Sequence, residues 1–568
     1  MLTRLARLVP WIVVLTALAL CPALSTQVTK QLASGVTLFQ DINTDPANAL
    51  IVNVITVDPA NPAVKVKAAL AGDTVHAEDA TKGREKVSTI TSRRGALVGI
   101  NADFFPFTGD PLGLCIIDGE LVSEPAGEVR AAIGMLKDGG VFFDKPILSA
   151  SLSLTGGVSR QIDGINRPRE TNQILVYSEA YGASTQGKYK GTELVLTSGD
   201  LPVRVGKTIT LTVSEVRADS AGTPIPKGGM VISAGGPAAW FLKENVKPGD
   251  ALTVRFDIKS QSGRDWSLVE QAVGGGPWLV KDGGECIDGL DECFKSAFCS
   301  TNHPRTAIGA TADGKLLLVT VDGRQSGISS GISLPNLAAL MRRFGATNAI
   351  NLDGGGSTTM SVKGLVVNSP CEGIERLVSN ALLVMADLKE KELPKLAVSG
   401  IEGQATAGEN SQMFLTWGDD HQAFTDDQLK HAVWGTNSGV GFMNQAGSFI
   451  PVRARKGSVG AFFGKQVAKM DLTVLPGPAA KLDVTLNASR QDPLHSAVSL
   501  VLTDAQGNRL AGREVALSAV GGKLGVDKGT TDDKGEFATA VTWEPATVER
   551  TVKATVDTLS QTVIFTRR

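Results

Sequence analysis

The sequence between residues 316 and 352 constrains the fold more than any other stretch of the chain. Leu316–Val321 is a short, continuous apolar run, which is typical of a buried β-strand. Apolar residues then recur at helical spacing through Leu334–Phe344, and a second strand-like run follows at Ala349–Leu352. This order predicts a β-α-β unit, which normally implies neighbouring parallel strands.

Turn-forming residues and changes in composition divide the rest of the chain into domains. It has 568 residues, of which 63 are glycine, and many glycines stand between short apolar runs, which favours β-rich architecture. We predict that residues 26–388 form an α+β domain with a mixed sheet that contains the β-α-β unit, and that this domain folds and acts alone. A charged linker, Asp387–Pro394, follows. Beyond it, short alternating strands predict two all-β sandwich modules, at residues 396–476 and 479–568.

The first residues predict an export signal. Two arginines precede an apolar run, Leu8–Leu20, and Ala23–Ser25 fits a cleavage site with small residues. We interpret residues 1–25 as a signal peptide, which places the mature start near Thr26. An uncleaved anchor would need about 20 apolar residues, and a lipidated Cys21 would need a small residue before it. The protein is therefore expected to be secreted, periplasmic or associated with the cell surface.

Charge and hydropathy argue against two classes of partner. The formal net charge is −2, with no large block of like charge, so nothing indicates a nucleic-acid partner. After signal cleavage, no segment is long and apolar enough to span a bilayer. The expected partners are therefore a glycan or sugar-phosphodiester substrate and a cell-surface partner bound through the β modules.

Five cysteines follow the predicted signal peptide, and three of them crowd into residues 286–299. Export permits disulfides. The alternative, a metal site, is disfavoured because the spacings are not C-x-x-C and the only nearby histidine is His303. We predict a disulfide that staples this loop, one free or intermolecular thiol, and neither metal nor cofactor. The five are Cys115, Cys286, Cys293, Cys299 and Cys371.

Three apolar runs of the first domain end in a carboxylate. Asp103 follows residues 96–100, Asp322 follows residues 316–321, and Asp353 follows residues 349–352. A carboxylate just past a buried strand lies at the sheet edge, where ligand sites of α/β folds collect. A lone Asp-Gly is most often only a turn. Three such residues in one domain, two of them flanking the β-α-β unit, indicate a shared site.

Two further features suit an anionic substrate. Gly354–Gly356 lets the backbone point successive N–H groups inward, and such nests bind anions. The motif is not a Walker loop, because no Lys-Ser/Thr follows the glycines at the required spacing. Arg305 supplies a guanidinium, which grips phosphate oxygens in bidentate fashion. A nest, a cation and carboxylates together indicate hydrolysis of an anionic substrate.

Three motifs then carry a resemblance to a known family. They are residues 303–309 (HPRTAIG), 321–325 (VDGRQ) and 351–358 (NLDGGGST), in this order. Together they resemble the core motifs of the phosphodiester glycosidase family, over roughly residues 30–386. Further matches are Asn101 with Phe104 and Phe105, residues 274–277, and Arg376 with Asn380. Two features depart from the family pattern: Asp103 stands where relatives often carry glycine, and residues 286–299 look like an insertion that would reshape the entrance.

The resemblance implies cleavage of a sugar–phosphate diester on the sugar side, in cell-envelope or extracellular glycans. The oxocarbenium-like transition state needs a carboxylate near the anomeric carbon, for which Asp353 is the first choice and Asp322 the second. Arg305 and the glycine amides would stabilise the departing phosphate. The remaining candidates would hold sugar hydroxyls or phosphate oxygens; they are Asn101, His303, Thr306, Arg324, Gln325, Gly354, Gly355, Gly356, Ser357 and Arg376.

Two other functions stay open at this point. One is a non-catalytic protein that binds envelope glycans and is tethered by its β modules, which needs no convergence of Asp322, Asp353 and Arg305. The other is a metal-dependent phosphodiesterase that cuts at phosphorus, with three aspartates as ligands.

The C-terminal modules are expected to act as spacers or to bind a partner. The turn-bearing stretches Val501–Asn508 and Thr531–Glu536 resemble bacterial immunoglobulin-like domains of the invasin/intimin group. Residues 396–476 look like a more divergent module of the same kind. The resemblance implies an immunoglobulin-like sandwich for each module.

Overall fold

The computed structural model describes residues 25–564, except residues 44, 46, 128–129, 198–200, 389–391, 438, 489–491, 493 and 546. The predicted signal peptide therefore lies outside the described residues, apart from Ser25, and so does part of the charged linker. Within the described part, no helix is long and apolar enough to cross a membrane.

Two large sheets form the centre of the molecule. The first has eight strands, and every two neighbouring strands pair antiparallel. Its strands are, in spatial order, Ser25–Ala33, Val36–Asn43, Leu50–Val57, Leu316–Val321, Arg305–Thr311, Ala346–Asn351, Trp278–Lys281 and Gly284–Glu285. The second has nine strands, in the order Gln404–Thr406, Gln466–Leu475, Lys456–Phe463, Val433–Asn437, Leu365–Val366, Met360–Val362, Val98–Asn101, Asn380–Ala386 and Val64–Leu70.

The two sheets pack face to face because alternate residues of a strand point to opposite faces. Leu316 and Leu318 lie in the core between the sheets, together with Ile100 and Leu382 of the nine-stranded sheet. Leu317 points to the other face of the eight-stranded sheet, where it packs under the helix Leu334–Arg343. This helix begins at the Ser333 cap, whose side chain accepts a hydrogen bond from the amide of Asn336.

The β-α-β prediction needs one correction. Both strands and the helix exist, and the strands Leu316–Val321 and Ala346–Asn351 run in the same direction. They are not neighbours, because Arg305–Thr311 lies between them and pairs antiparallel with both. The predicted mixed sheet is therefore wrong for this sheet, and strands rather than helices dominate the domain. The α-helices among the described residues are short; they are Val87–Arg93, Gly236–Asn245, Ser296–Ser300, Leu334–Arg343 and Asp426–Leu429.

Residues 115–274 add two further sheets, which share a core of their own. The five-stranded sheet runs Glu120–Ser123, Cys115–Ile117, Val269–Gly274, Ala132–Leu136 and Val141–Asp144. The eight-stranded sheet runs Ser159–Ile162, Pro146–Ser153, Ala251–Ser260, Thr208–Ser220, Gly191–Thr197, Gly229–Ala234, Ile174–Ser178 and Gly164–Ile165. The strand Val269–Gly274 leads directly into the loop at residues 274–277, so this unit delivers that loop to the central sheets.

Residues 396–476 continue the nine-stranded sheet. Thr436 pairs with Val366, and Val433 and Phe462 are buried in the core between the two central sheets. Gln40 accepts a hydrogen bond from the amide of Gln445 (2.8 Å). This segment thus has a core of its own, at residues 405–474, and also contributes Val433 and Phe462 to the core of the first domain. Its two small sheets run Ala397–Ser399, Phe414–Trp417, Gln422–Ala423 and Ser411–Gln412, Ser448–Pro451, Gly441–Met443.

The last segment is a sandwich of two four-stranded sheets around a separate core. One sheet runs Ala479–Ala488, His495–Asp504, Glu536–Trp543 and Gly522–Leu524; the other runs Lys528–Thr530, Glu514–Val520, Thr551–Val556 and Leu559–Ile564. Asn508 joins it to the preceding segment, because its side chain donates to the carbonyl of Val452 (2.8 Å) and accepts from the amide of Ala454 (2.9 Å).

The cysteines also differ from the sequence prediction. All five described cysteines are free thiols, so the expected disulfide staple of residues 286–299 is absent. Cys115 is fully buried on a strand, and burial raises its pKa to about 12. Cys286 instead lies 3.1 Å from Oδ1 of Asp288. The loop is held by other contacts, which involve Arg305 and three phenylalanines.

Candidate active site

Antiparallel pairing brings the sequence motifs to one edge of the central sheet. Arg305, at the start of its strand, pairs with Val321 at the end of the neighbouring strand, and Ala307 pairs with Asn351 on the other side. The residues that precede one strand and follow the other two therefore meet. Asn101, at the end of a strand in the nine-stranded sheet, reaches the same place.

Asn101 joins the two sheets at this edge. Its Nδ2 donates to the carbonyl of Asp353 (2.6 Å), and its Oδ1 accepts from the hydroxyl of Thr306 (2.8 Å) and the amide of Thr359 (3.1 Å). Asn101 is 1% exposed and Thr306 is fully buried. Both residues thus hold the backbone of Asp353 in position rather than facing solvent.

Asp353 is the half-buried carboxylate of the site. Its Oδ1 accepts from the amide of Gly354 (2.9 Å), and its own amide donates to the carbonyl of Ala102 (2.9 Å). Burial raises its pKa to about 6, although Ser357 and the positive charge of Arg376 act in the opposite direction. The group is therefore mostly ionised at neutral pH and ready to accept a proton in mildly acidic solution.

Asp103 is a second carboxylate in electrostatic contact with the first. It is buried, and it accepts from the amides of Phe104 and Gly113, both at 2.7 Å. Burial raises its pKa to about 7; the Phe104 amide and the charge of Arg130 lower it, and the charge of Asp353 raises it. Neighbouring carboxyl groups with raised pKa values make this place a candidate functional site. Asp103 is therefore a candidate site residue, although the sequence comparison showed it only as a departure from the family pattern.

The side chains of two arginines lie close to the backbone of the glycine run. A Cβ on Gly355 would lie 3.1 Å from Nη1 of Arg324, and Gly355 has a φ of 62°. The side chain of Arg376, which is ion-paired with Glu372, lies against Gly356. The predicted anion nest is only partly available, because the Gly354 amide donates to Asp353 and the Gly355 amide donates to the carbonyl of Pro304.

Arg324 and His303 form a pair beside these glycines. The exposed guanidinium of Arg324 places Nε 3.3 Å from Nδ1 of His303. Burial and the charges of Arg324 and Arg305 lower the pKa of His303. The imidazole is therefore neutral at neutral pH, and the exposed cation of this pair is Arg324.

Arg305 lies behind the site. It is 1% exposed, and its Nη2 donates to the carbonyls of Phe298 (2.6 Å) and Thr301 (3.0 Å), while its Nε donates to the carbonyl of Ile332 (3.2 Å). Burial lowers its pKa to about 10. Phosphate binding by Arg305 stays a prediction, and this placement instead favours a role in holding residues 296–301.

Asp322 is also buried, and both of its oxygens are occupied. Oδ1 accepts from the Asn368 side chain and Oδ2 from the amide of Ser369, both at 2.7 Å. Burial raises its pKa to about 7. Gln325 binds the same segment, because its amide group both donates to the carbonyl and accepts from the hydroxyl of Ser369 (2.8 Å each). The catalytic role predicted for Asp322 stays a prediction. Asp103 is equally buried with both oxygens occupied; the difference is that the charge of Asp353 raises the pKa of Asp103 and is not among the causes of the raised pKa of Asp322.

Two side chains near the carboxylates have a buried polar atom without a hydrogen-bond partner among the described residues: Oγ1 of Thr358 and Nη1 of Arg130. The hydroxyl of Ser357 interacts with Asp353, whose pKa it lowers. Ser357 was a predicted site residue, but Arg130 was not. No motif surrounds Arg130 in the sequence, and only its contacts with Asp103, Phe104 and Phe294 in the folded chain reveal it. Among the described residues, no group of three or more His, Cys, Asp or Glu side chains is arranged to hold a metal ion.

Comparison with known proteins supports the phosphodiester glycosidase family for this part of the chain. Residues 203–385 match the sequence model of that family, described as phosphodiester glycosidase. A SPbeta prophage-derived uncharacterized protein, YomE, of Bacillus subtilis (strain 168) is 41% identical over 109 residues, which are 19% of this chain and 16% of that protein. N-acetylglucosamine-1-phosphodiester alpha-N-acetylglucosaminidase of Mus musculus is 32% identical over 111 residues, 18% of this chain and 21% of that protein.

These matches are partial, because the chain spans 16% and 21% of the length of the two curated relatives. Among solved structures, a hypothetical protein from Synechocystis superposes with a TM-score of 0.53 at 24% identity, covering 64% of each chain. That likeness concerns the fold.

Proposed function

We propose that this protein is a hydrolase of sugar-1-phosphodiesters that breaks the bond between the anomeric carbon and the phosphate oxygen. Water supplies a hydroxyl group to the sugar and a proton to the phosphate, so the products are a free sugar and a phosphate monoester. The family match of residues 203–385 supports the reaction class. The substrate class is a glycan or glycoconjugate that carries such a linkage.

The observation that carries the proposal is the coupled pair Asp353 and Asp103 beside a set of arginines. Asp353, with a pKa of about 6, supplies the negative charge that an oxocarbenium-like transition state requires. Asp103, with a pKa of about 7, retains its proton more readily and is the candidate proton donor.

Cations around the pair suit a phosphate leaving group. Arg376 lowers the pKa of Asp353 and lies against Gly356, while Arg324 lies against Gly355. A phosphate monoester is itself a good leaving group, so charge stabilisation matters more than strong acid catalysis. A protein that only binds glycans needs neither the carboxylate pair nor these cations next to it.

The test is turnover of α- and β-linked sugar-1-phosphodiesters in water enriched in oxygen-18. The proposal expects the label in the sugar hydroxyl. Label in the phosphate would instead identify a phosphodiesterase that cuts at phosphorus, and the absence of turnover on every diester would favour a glycan-binding protein.

We further propose that the chain is exported and that residues 479–568 are a non-catalytic immunoglobulin-like spacer or surface-binding module. The separate core of the sandwich supports an independent unit. Residues 396–476 have their own core, but their pairing with the nine-stranded sheet and the burial of Val433 and Phe462 in the first core support a catalytic unit that extends to about residue 476. N-terminal sequencing of the exported protein would place the mature start; a start at Met1 would contradict export with cleavage.

A further inference from the structure

We propose that Arg130 is the phosphate-binding residue of this site, and that the inserted segment at residues 286–299 exists to hold it. The inference deepens the proposed hydrolysis and rests on it for the identity of the anion. The sequence assigned the phosphate contact to Arg305, but the contacts of the two arginines in the folded chain favour Arg130.

The guanidinium of Arg130 lies against two aromatic rings. Its central carbon lies 4.6 Å from the ring centroid of Phe294 and 5.4 Å from that of Phe104. The two rings are themselves in contact, with centroids 5.5 Å apart. Cation–π contacts of this kind fix the plane of an arginine without using its N–H donors. The donors of Arg130 therefore stay available to a ligand.

One of those donors is buried and unsatisfied. Nη1 of Arg130 has no hydrogen-bond partner among the residues that the structure describes. A buried donor that lacks a partner is costly, so Nη1 of Arg130 is available to bind an anion. Arg130 lies near Asp103, whose pKa its charge lowers, and Asp103 in turn interacts with Asp353. An anion bound to Nη1 would therefore sit beside the carboxylate pair.

The inserted segment connects Arg305 to Arg130. Arg305 donates to the carbonyls of Phe298 and Thr301 and stacks on the Phe298 ring at 4.7 Å. Phe298 stacks on Phe294, with centroids 5.0 Å apart and planes inclined by 19°. Phe294 then supports Arg130. Arg305 and Phe294 are thus positioning residues, and of the two arginines Arg130 is the one expected to touch the phosphate.

Titration calorimetry with inorganic phosphate tests this assignment without any need for turnover. Arg130→Met keeps an unbranched side chain that packs against the rings but removes the donors, and it should weaken phosphate binding at least about tenfold. The matched control is Arg160→Met. Arg160 is an exposed arginine whose guanidinium carbon lies 3.7 Å from the ring centroid of Phe241, and it has no part in the site. The control should bind phosphate like the unaltered protein.

Positioning by the insertion is tested in a double-mutant cycle. Phe294→Leu should weaken phosphate binding several-fold in the unaltered background and have no further effect once Arg130 is methionine. Should Arg130→Met fail to fold, Arg130→Lys keeps the charge but loses the planar fork, and it should still bind phosphate more weakly.

The outcomes separate this inference from the proposed function. Loss of phosphate affinity in Arg130→Met, with the control unchanged, supports the anion site even if the oxygen-18 experiment finds no hydrolysis. A phosphate affinity in Arg130→Met within twofold of the unaltered protein would overturn it. So would the absence of measurable phosphate binding to the unaltered protein, whatever the result with the diesters.

Discussion

Replacing Asp353 by asparagine should lower activity and replacing Asp322 should lower stability, although both residues follow a buried strand and precede a glycine. Asp353 uses one oxygen to accept from the Gly354 amide, and the carbonyl oxygen of an asparagine keeps that bond. Asp353→Asn should therefore fold normally. It removes the charge that the transition state requires, so kcat should fall by about three orders of magnitude, or about 4 kcal/mol.

Asp322→Asn should instead act on stability. Both oxygens of Asp322 accept hydrogen bonds, from Asn368 and Ser369, and the NH₂ group of an asparagine must face one of these donors. The loss of one bond at a fully buried position should cost about 1–3 kcal/mol of the free energy of unfolding. Turnover of the folded fraction should stay close to that of the unaltered protein.

Both quantities are measurable on the same two variants. Urea unfolding at pH 7 gives the free energy of unfolding, and turnover of a sugar-1-phosphodiester, corrected for the folded fraction, gives kcat. If Asp353→Asn keeps near-normal kcat while a folded Asp322→Asn loses it, the two carboxylates have been assigned the wrong way round. If both folded variants remain active, the mechanism itself is wrong.

Four further predictions follow from the same geometry. Turnover should rise as the pH increases through about 6, where Asp353 ionises, and fall as it increases through about 7, where Asp103 loses its proton; a flat profile between pH 5 and 8 would contradict these roles. Residues 26–388 alone should be about 3–6 kcal/mol less stable to urea than residues 26–476, because truncation exposes core contacts of Val433 and Phe462; equal midpoints would restore the independent domain that the sequence predicts. Gly355→Ala should lower kcat/KM at least about tenfold, because position 355 has a positive φ and the new methyl group would displace Arg324. Gly314→Ala is the control, since Gly314 lies at a turn with open space around it. Activity should survive a chelator; its loss, with recovery on adding a divalent ion, would favour cleavage at phosphorus.

Local sequence was enough to find the elements and most of the site loops. The apolar runs and the helical spacing predicted the strands Leu316–Val321 and Ala346–Asn351 and the helix between them, because burial on one face of an element leaves a periodic trace. The same patterns indicated that Asp353 and its glycines follow a strand end. Periodicity does not record which strands become neighbours, so the insertion of Arg305–Thr311 between the two strands was missed.

Tertiary structure decided how residues in similar local sequences are placed. Asp322 and Asp353 both follow a buried strand and precede a glycine, but Asn368 and Ser369, 46 and 47 residues beyond Asp322, hold both of its oxygens, whereas Asp353 is half-buried. The sequence singled out Arg305 and not Arg130, but in the folded chain Phe298 and Thr301 take donors of Arg305, whereas Nη1 of Arg130 has no partner among the described residues. Burial, pKa and free donors depend on contacts between distant parts of the chain, and these are set only when the sheets pack.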